Sequence, residues 1–121
     1  MKELTKAEEQ VMQALWNLDK GFVRDIIAEL PKPSPAYTTV STVVRILEEK
    51  GFVNHKAYGK IHEYYPLISK QYYGNYTFKN MFKNYFSGSA ETLLTCFVQE
   101  NNIDIKELDS ILKTLKTTKK K

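Results

Sequence analysis

One cysteine, Cys96, is all this chain carries, which excludes an intramolecular disulfide and any metal site built on several thiolates. Such sparing use of cysteine fits a reducing cytoplasm. The two histidines, His55 and His62, have no cysteine or third ligand near them in sequence, so no metal centre is expected there. No apolar run approaches the ~20 residues that span a membrane. The opening stretch, M-K-E-L-T-K-A-E-E, is charged where a secretory signal would be apolar. Five glycines form neither a phosphate-cradling loop nor a nucleophile elbow. No enzyme and no cofactor is expected. A strong excess of one charge is missing too: the net charge is +4 and the pI about 9.1, compatible with nucleic acid but a weak argument for it.

What is present is an ordinary globular composition, 42% hydrophobic and 26% charged, in 121 residues that suit one domain or a small domain with an oligomerisation arm. The most informative stretch runs from Ala36 to Gly51, A-Y-T-T-V-S-T-V-V-R-I-L-E-E-K-G. Val40, Val43, Val44 and Leu47 recur at i, i+3, i+4 and i+7, one face of a helix. Thr38, Thr42, Arg45 and Glu49 turn to the opposite face, with Thr39 and Ser41 on its flanks. Solvated faces usually carry Lys, Glu and Gln. Short hydroxyls and one arginine instead let a helix approach another surface closely, as a major-groove reader must, with Thr and Ser bonding phosphates or base edges and Arg bonding guanine. A plain amphipathic helix is the competing reading.

Around this stretch the elements follow in a recognisable order. Thr5-Lys6-Ala7-Glu8 is a capping box for a first helix that buries Ala7, Val11, Ala14, Leu15 and Leu18, with Met12 and Trp16 at the edges and Trp16 a core anchor. Asp19-Lys20-Gly21 breaks it. A second helix spans Phe22 to Leu30 on Val23, Ile26, Ile27 and Leu30, and the prolines at 31, 33 and 35 end it. Gly51 suits the left-handed position after the third helix, with Phe52 packing back on Leu47. Two extended stretches, Phe52 to Tyr58 and Ile61 to Pro66, flank a hairpin tip at Gly59-Lys60. Three helices and a hairpin are the plan of a winged helix, whose third helix enters the major groove while the wing lies along the backbone or minor groove. Lys56, Tyr58 and Lys60 are the wing's candidates for phosphate contact; ordinary solvated lysines are the alternative.

From Leu67 the character changes. Tyr72, Tyr73, Tyr76, Phe78, Met81, Phe82, Tyr85 and Phe86 crowd one segment among lysines. Helical spacing favours an interface or core over a single-strand stacking platform, and Gly74 weakens that helix. Ser89 caps a helix carrying Leu93, Leu94, Phe97 and Val98, in which Cys96 reads as a small buried hydrophobe. Asp104-x-x-Glu107 caps a last helix with Leu108, Ile111, Leu112 and Leu115 at i, i+3, i+4 and i+7. The lysine-rich end from Lys113 to Lys121 is expected to fray. Short amphipathic helices cannot bury so many large apolar residues alone, so a symmetric homodimer is expected, with Tyr72, Tyr76, Phe82 and Phe86 at its interface besides the apolar residues of the last two helices. Charge points the same way. Residues 1–30 carry −2, 31–66 carry +2 and 67–121 carry +4, so one copy makes few phosphate contacts and useful affinity needs two.

L-T-K-A-E-E-Q-V-M-Q-A-L-W at 4–16, T-T-V-S-T-V-V-R-I-L-E-E-K-G at 38–51, E-Y-Y-P-L at 63–67 and L-L-T-C-F-V-Q at 93–99 together resemble the penicillinase repressor (BlaI/MecI) family of bacterial winged-helix repressors. The resemblance implies a homodimer on a pseudopalindromic DNA operator, with Thr38, Thr39, Ser41 and Thr42 at DNA-contacting positions. Where relatives place basic residues at the positions of Thr38 and Ser41, this chain has hydroxyls, which implies a different operator. Derepression in the penicillinase branch involves a membrane sensor-protease and cleavage of an Asn-Phe bond in the dimer arm. The matching bond here is Cys96-Phe97, with the Phe kept and the Asn replaced. Copper-responsive relatives carry a C-terminal cysteine cluster that this chain lacks.

The expected fold is mainly α with a small β wing (α+β), a winged helix-turn-helix domain at 1–67 and a helical dimerisation domain at 68–121. Thr38, Thr39, Ser41, Thr42, Arg45, Lys56, Tyr58 and Lys60 are expected to hold DNA. A winged helix serving as a protein-interaction adapter without DNA binding is the alternative, favoured by the near-neutral charge of the first half.

Overall fold

The computed structural model describes residues 3–119. In chain order its elements are α1 (Lys6–Leu18), α2 (Val23–Glu29), α3 (Tyr37–Glu49), β1 (Val53–Tyr58), β2 (Ile61–Pro66), α4 (Lys70–Tyr85), α5 (Ala90–Glu100) and α6 (Ile105–Lys119). They fall into two compact units divided between Thr77 and Phe78.

In the first unit the expected capping box opens α1. The Thr5 N–H donates to Glu8 Oε1 at 2.9 Å and the Glu8 N–H donates to Thr5 Oγ1 at 3.2 Å. The buried stripe of α1 is Glu8, Val11, Met12 and Leu15, with Ala14 beside it. This shifts the expected phase: Met12 is fully buried rather than at an edge, and Ala7 is exposed. The reason lies in Glu8, which takes the place of an apolar residue because Lys50 Nζ meets both its carboxylate oxygens at 2.9 Å. Burial pushes the Glu8 carboxyl up, but the Lys50 ammonium and the Thr5 N–H outweigh it and hold the group below its ordinary 4.5.

Helix α2 is shorter than expected. Phe22 precedes it, and the Phe22 N–H donates to Asp25 Oδ2 at 2.9 Å. Val23, Ile26 and Leu30 face Val40, Val44 and Leu47 of α3 in one core. At the end of α3, Gly51 has φ +85°, its N–H donates to the Glu48 carbonyl at 3.0 Å, and the Phe52 N–H donates to the Leu47 carbonyl at 2.9 Å. These are the two bonds of a Schellman turn, which places Phe52 in the core.

The wing is the antiparallel pair β1–β2, with Tyr58 opposite Ile61 and the tip at Gly59-Lys60, where Gly59 takes φ +66°. A third pairing joins it that periodicity does not reveal. Gly21 exchanges two backbone hydrogen bonds with Tyr64, at 2.9 and 2.8 Å, so the turn after α1 adds an edge to the sheet. A side chain at Gly21 would crowd Leu18 Cδ1 and Asp25 Cβ, each 3.2 Å from the added carbon.

The start of α4 belongs to this unit. The Trp16 indole donates to the Ile68 carbonyl at 2.8 Å, and the Leu4 N–H donates to the Tyr73 hydroxyl at 2.7 Å. Tyr73 meets Phe52 edge-on at 5.7 Å, and burial pushes its hydroxyl above its ordinary 10.0. Tyr76, expected at a dimer interface, packs partly against this core beside Tyr73, whereas Tyr72 is exposed.

The second unit is capped as its sequence implies. The Thr92 N–H donates to Ser89 Oγ at 3.2 Å and the Glu107 N–H donates to Asp104 Oδ1 at 2.8 Å. Phe78 and Phe82 stack at 5.8 Å. No side chain between 78 and 115 is buried. Phe82, Phe86, Leu93 and Leu108 are half-buried, while Leu94, Phe97, Ile111, Leu112 and Leu115 are exposed. Cys96, expected as a small buried hydrophobe, is exposed as well, because α5 has too little around it to cover that face. Helix α6 continues to Lys119, past the point where fraying was expected to begin, while Lys120 and Lys121 lie outside the described residues.

The Glu8–Lys50 pair yields a stability prediction with a sign. A carboxyl held below its ordinary value stabilises the fold above that value and loses this contribution as pH falls through the lower, folded one. At about pH 7, Glu8→Gln should cost about 1–3 kcal/mol in urea unfolding. The wild-type and variant curves should converge as the pH falls through the lowered, folded value of the Glu8 carboxyl.

Candidate nucleic-acid interface

The site begins with what α3 leaves outside the core. Thr38, Thr39, Thr42 and Arg45 are exposed, and Ser41 is half-buried at the flank nearer the wing. Thr42 Oγ1 donates to the Thr38 carbonyl at 2.9 Å. That commits its proton and leaves its methyl and oxygen lone pairs facing out, suited to a thymine methyl or a base amino group. Ala36 precedes α3 and offers it no side-chain cap, and the first turn carries no acid. Its positive dipole end therefore carries no protein counter-charge, which favours an anion there.

The wing stands beside this face, held by an α3 side chain. Glu48 Oε2 lies 2.7 Å from His55 Nδ1 on β1, and the His55 ring stacks on His62 of β2 at 4.0 Å, nearly parallel at 11°. Parallel stacked imidazoles do not converge on one ion. Among the described residues, no three His, Cys, Asp or Glu side chains gather into a metal site. Lys56 Nζ sits 5.4 Å from the Tyr58 ring centroid, and Tyr58 contacts Phe22 at 5.9 Å. Lys56 and Tyr58 thus form one exposed unit on the wing, and Lys60 stands at the tip.

Between α2, α3 and the wing lies an open cavity of about 600 Å³. Of the residues expected from sequence, it brings together Ser41, Arg45 and Lys60; Thr38, Thr39, Thr42, Lys56 and Tyr58 lie outside it. It adds Arg24, Tyr37 and His62, which sequence reasoning did not select. Tyr64 forms part of its wall; burial, then the Glu48 charge, pushes its hydroxyl above its ordinary 10.0, so at neutral pH it adds no charge. The one sequence signal for Arg24 was that the apolar spacing of α2 turns it outward. Nothing local shows that this outward face meets the flank of α3.

The sequence profile of the penicillinase repressor family matches residues 4–117. The chain belongs to the penicillinase repressor family. Its function is that of a DNA-binding transcriptional repressor. Similar curated proteins include the methicillin resistance regulatory protein MecI of Staphylococcus aureus, 29% identical over 91% of this chain and 93% of its own. MecI of Mammaliicoccus sciuri is 30% identical over the same shares. The penicillinase repressor of Bacillus licheniformis is 26% identical over 98% of this chain and 95% of its own. Among solved structures, the DNA-binding domain of the repressor BlaI aligns with 58% of this chain and 90% of its own, with 31% identity and a TM-score of 0.49. No helix among the described residues is long and apolar enough to cross a membrane.

Arg45 is exposed and makes no ion pair among the described residues, so its removal should leave the fold intact. Arg45→Ala should weaken binding to a cognate duplex by about 1–3 kcal/mol in fluorescence anisotropy, with an unchanged thermal midpoint.

Proposed function

We propose that this repressor works in the cytoplasm as a homodimer on a pseudopalindromic operator, each copy laying α3 in the major groove and its wing along the flanking backbone. The observation that carries this reading is the exposed face of α3, small hydroxyls and one arginine on a helix whose other face buries Val40, Val44 and Leu47. Thr38, Thr39, Ser41, Thr42 and Arg45 read or position, and Lys56, Tyr58 and Lys60 hold phosphates. A protein-interaction adapter would leave the hydroxyl face unexplained.

The second unit supports the dimer. A unit with no buried side chain from 78 to 115, and with Phe97 and Leu112 more than two-fifths exposed, lacks a core of its own. A second copy of the same helices is the partner that closed symmetry supplies. Release by a membrane sensor-protease fits the same geometry. The Cys96-Phe97 bond lies inside α5, so local unwinding would deliver it to a protease, and cutting it would turn a bivalent binder into weak monomers.

Sedimentation should find a dimer at micromolar concentration and a monomer for the double variant Phe97→Asp, Leu112→Asp. The same variant should bind a duplex selected by the wild type about 10²–10⁴-fold more weakly. A wild-type monomer, or a monomeric variant that binds as tightly, would remove the dimer from the mechanism. Failure of the wild type to prefer any duplex over a scrambled one, at low and high salt, would remove the operator.

A further inference from the structure

The cavity between α2, α3 and the wing has a use that the reading face of α3 does not explain. Three cations border it from three different elements: Arg24 from α2, Arg45 from α3 and Lys60 from the wing tip. None of the three is ion-paired among the described residues. One carboxylate, Asp25, also lines it, and its Oδ2 is taken by the Phe22 N–H at the start of α2. The balance is two positive charges around a concavity that also has apolar wall, from Phe22 and Tyr37. A lone inorganic anion would need only a small part of about 600 Å³. A phosphodiester with its attached sugar suits both the charge and the apolar wall. A strand passing from a major groove filled by α3 toward the wing would run across this cavity.

We propose that the cavity is the seat of one backbone phosphate and its deoxyribose, and that Arg24 is a DNA-positioning residue outside the reading helix. The proposal rests on the operator reading above and adds a contact from α2 to it. Arg24 makes no base contact in this arrangement. It sets the register in which the α3 hydroxyls meet the bases, and its contribution is independent of sequence.

The test uses the full-length protein and a duplex enriched by the wild type from a randomised pool. Arg24→Gln should reduce the slope of log affinity against log salt by about 0.9, the share of one phosphate contact. The loss should be equal on the enriched and a scrambled duplex, and Arg24→Lys should restore the slope. Replacing phosphates one at a time by neutral methylphosphonate should reveal one position that weakens the wild type several-fold and Arg24→Gln distinctly less. Arg24 is exposed, so the thermal midpoint should not move. An unchanged salt slope with no such methylphosphonate position would overturn the seat while leaving the operator reading in place. A changed base preference in Arg24→Gln would overturn it too, by making Arg24 a reader. If no duplex is enriched, the operator reading fails and the seat fails with it.

Discussion

Helix α3 is assembled from residues that do not favour a helix. Thr38, Thr39, Val40, Thr42, Val43 and Val44 are all β-branched, and each loses side-chain freedom against the preceding turn. Such a segment is helical because burial makes it so. Val40, Val44 and Leu47 are at most 1% exposed, and the Schellman turn at Gly51 swings Phe52 into the same core. Everything on the outer face depends on this inner one. The hydroxyls are presented in register only while α1 and α2 cover the valines, and the wing keeps its place beside them through Glu48 and His55. In this unit the proposed reading surface and the core are therefore two sides of one helix, and on that proposal a core defect acts as a binding defect.

Electrostatics explain how a weakly charged unit can serve a nucleic acid. The capping carboxylate Glu8 and Lys50 neutralise each other inside the fold, and the Glu48 carboxylate is turned toward His55 of the wing. The cavity between α2, α3 and the wing is lined by three cations, Arg24, Arg45 and Lys60, against one carboxylate, Asp25. A net charge near zero over the first half therefore hides an uneven surface, with cations in excess where α2, α3 and the wing meet. Few phosphates can be neutralised this way, so salt should act on binding through a small number of contacts per copy.

The helices and the wing were legible because their signals are local. The i, i+3, i+4, i+7 spacing of α3 and α6, the capping box at Thr5, the glycine after Lys50 and the two-residue tip at Gly59-Lys60 each need only neighbouring residues to be read. What was not legible needed a partner far along the chain. Glu8 displaced Ala7 from the buried stripe because Lys50, 42 residues on, could neutralise it. Gly21 became a sheet edge through Tyr64, and Trp16 and Tyr73 tied the start of α4 to the first core through single hydrogen bonds to Ile68 and Leu4. The candidate site divides in the same way. The face of α3 follows from its own periodicity, whereas Arg24 enters only when α2 is laid against α3.

On the proposed dimer, the second unit would let the repressor be switched without touching the α3 face. Its caps are sound and its helices amphipathic, yet no side chain from 78 to 115 is buried, so its apolar faces are satisfied only by another surface. On the proposed dimer, that surface is the same unit of a second copy. Two weak sites bound at once then give an affinity that neither has alone, and the factor between them is set by effective concentration rather than by any contact to a base. Breaking α5 removes that factor and leaves α3 intact. On this proposal sequence preference and release reside in different units, and each can change without the other.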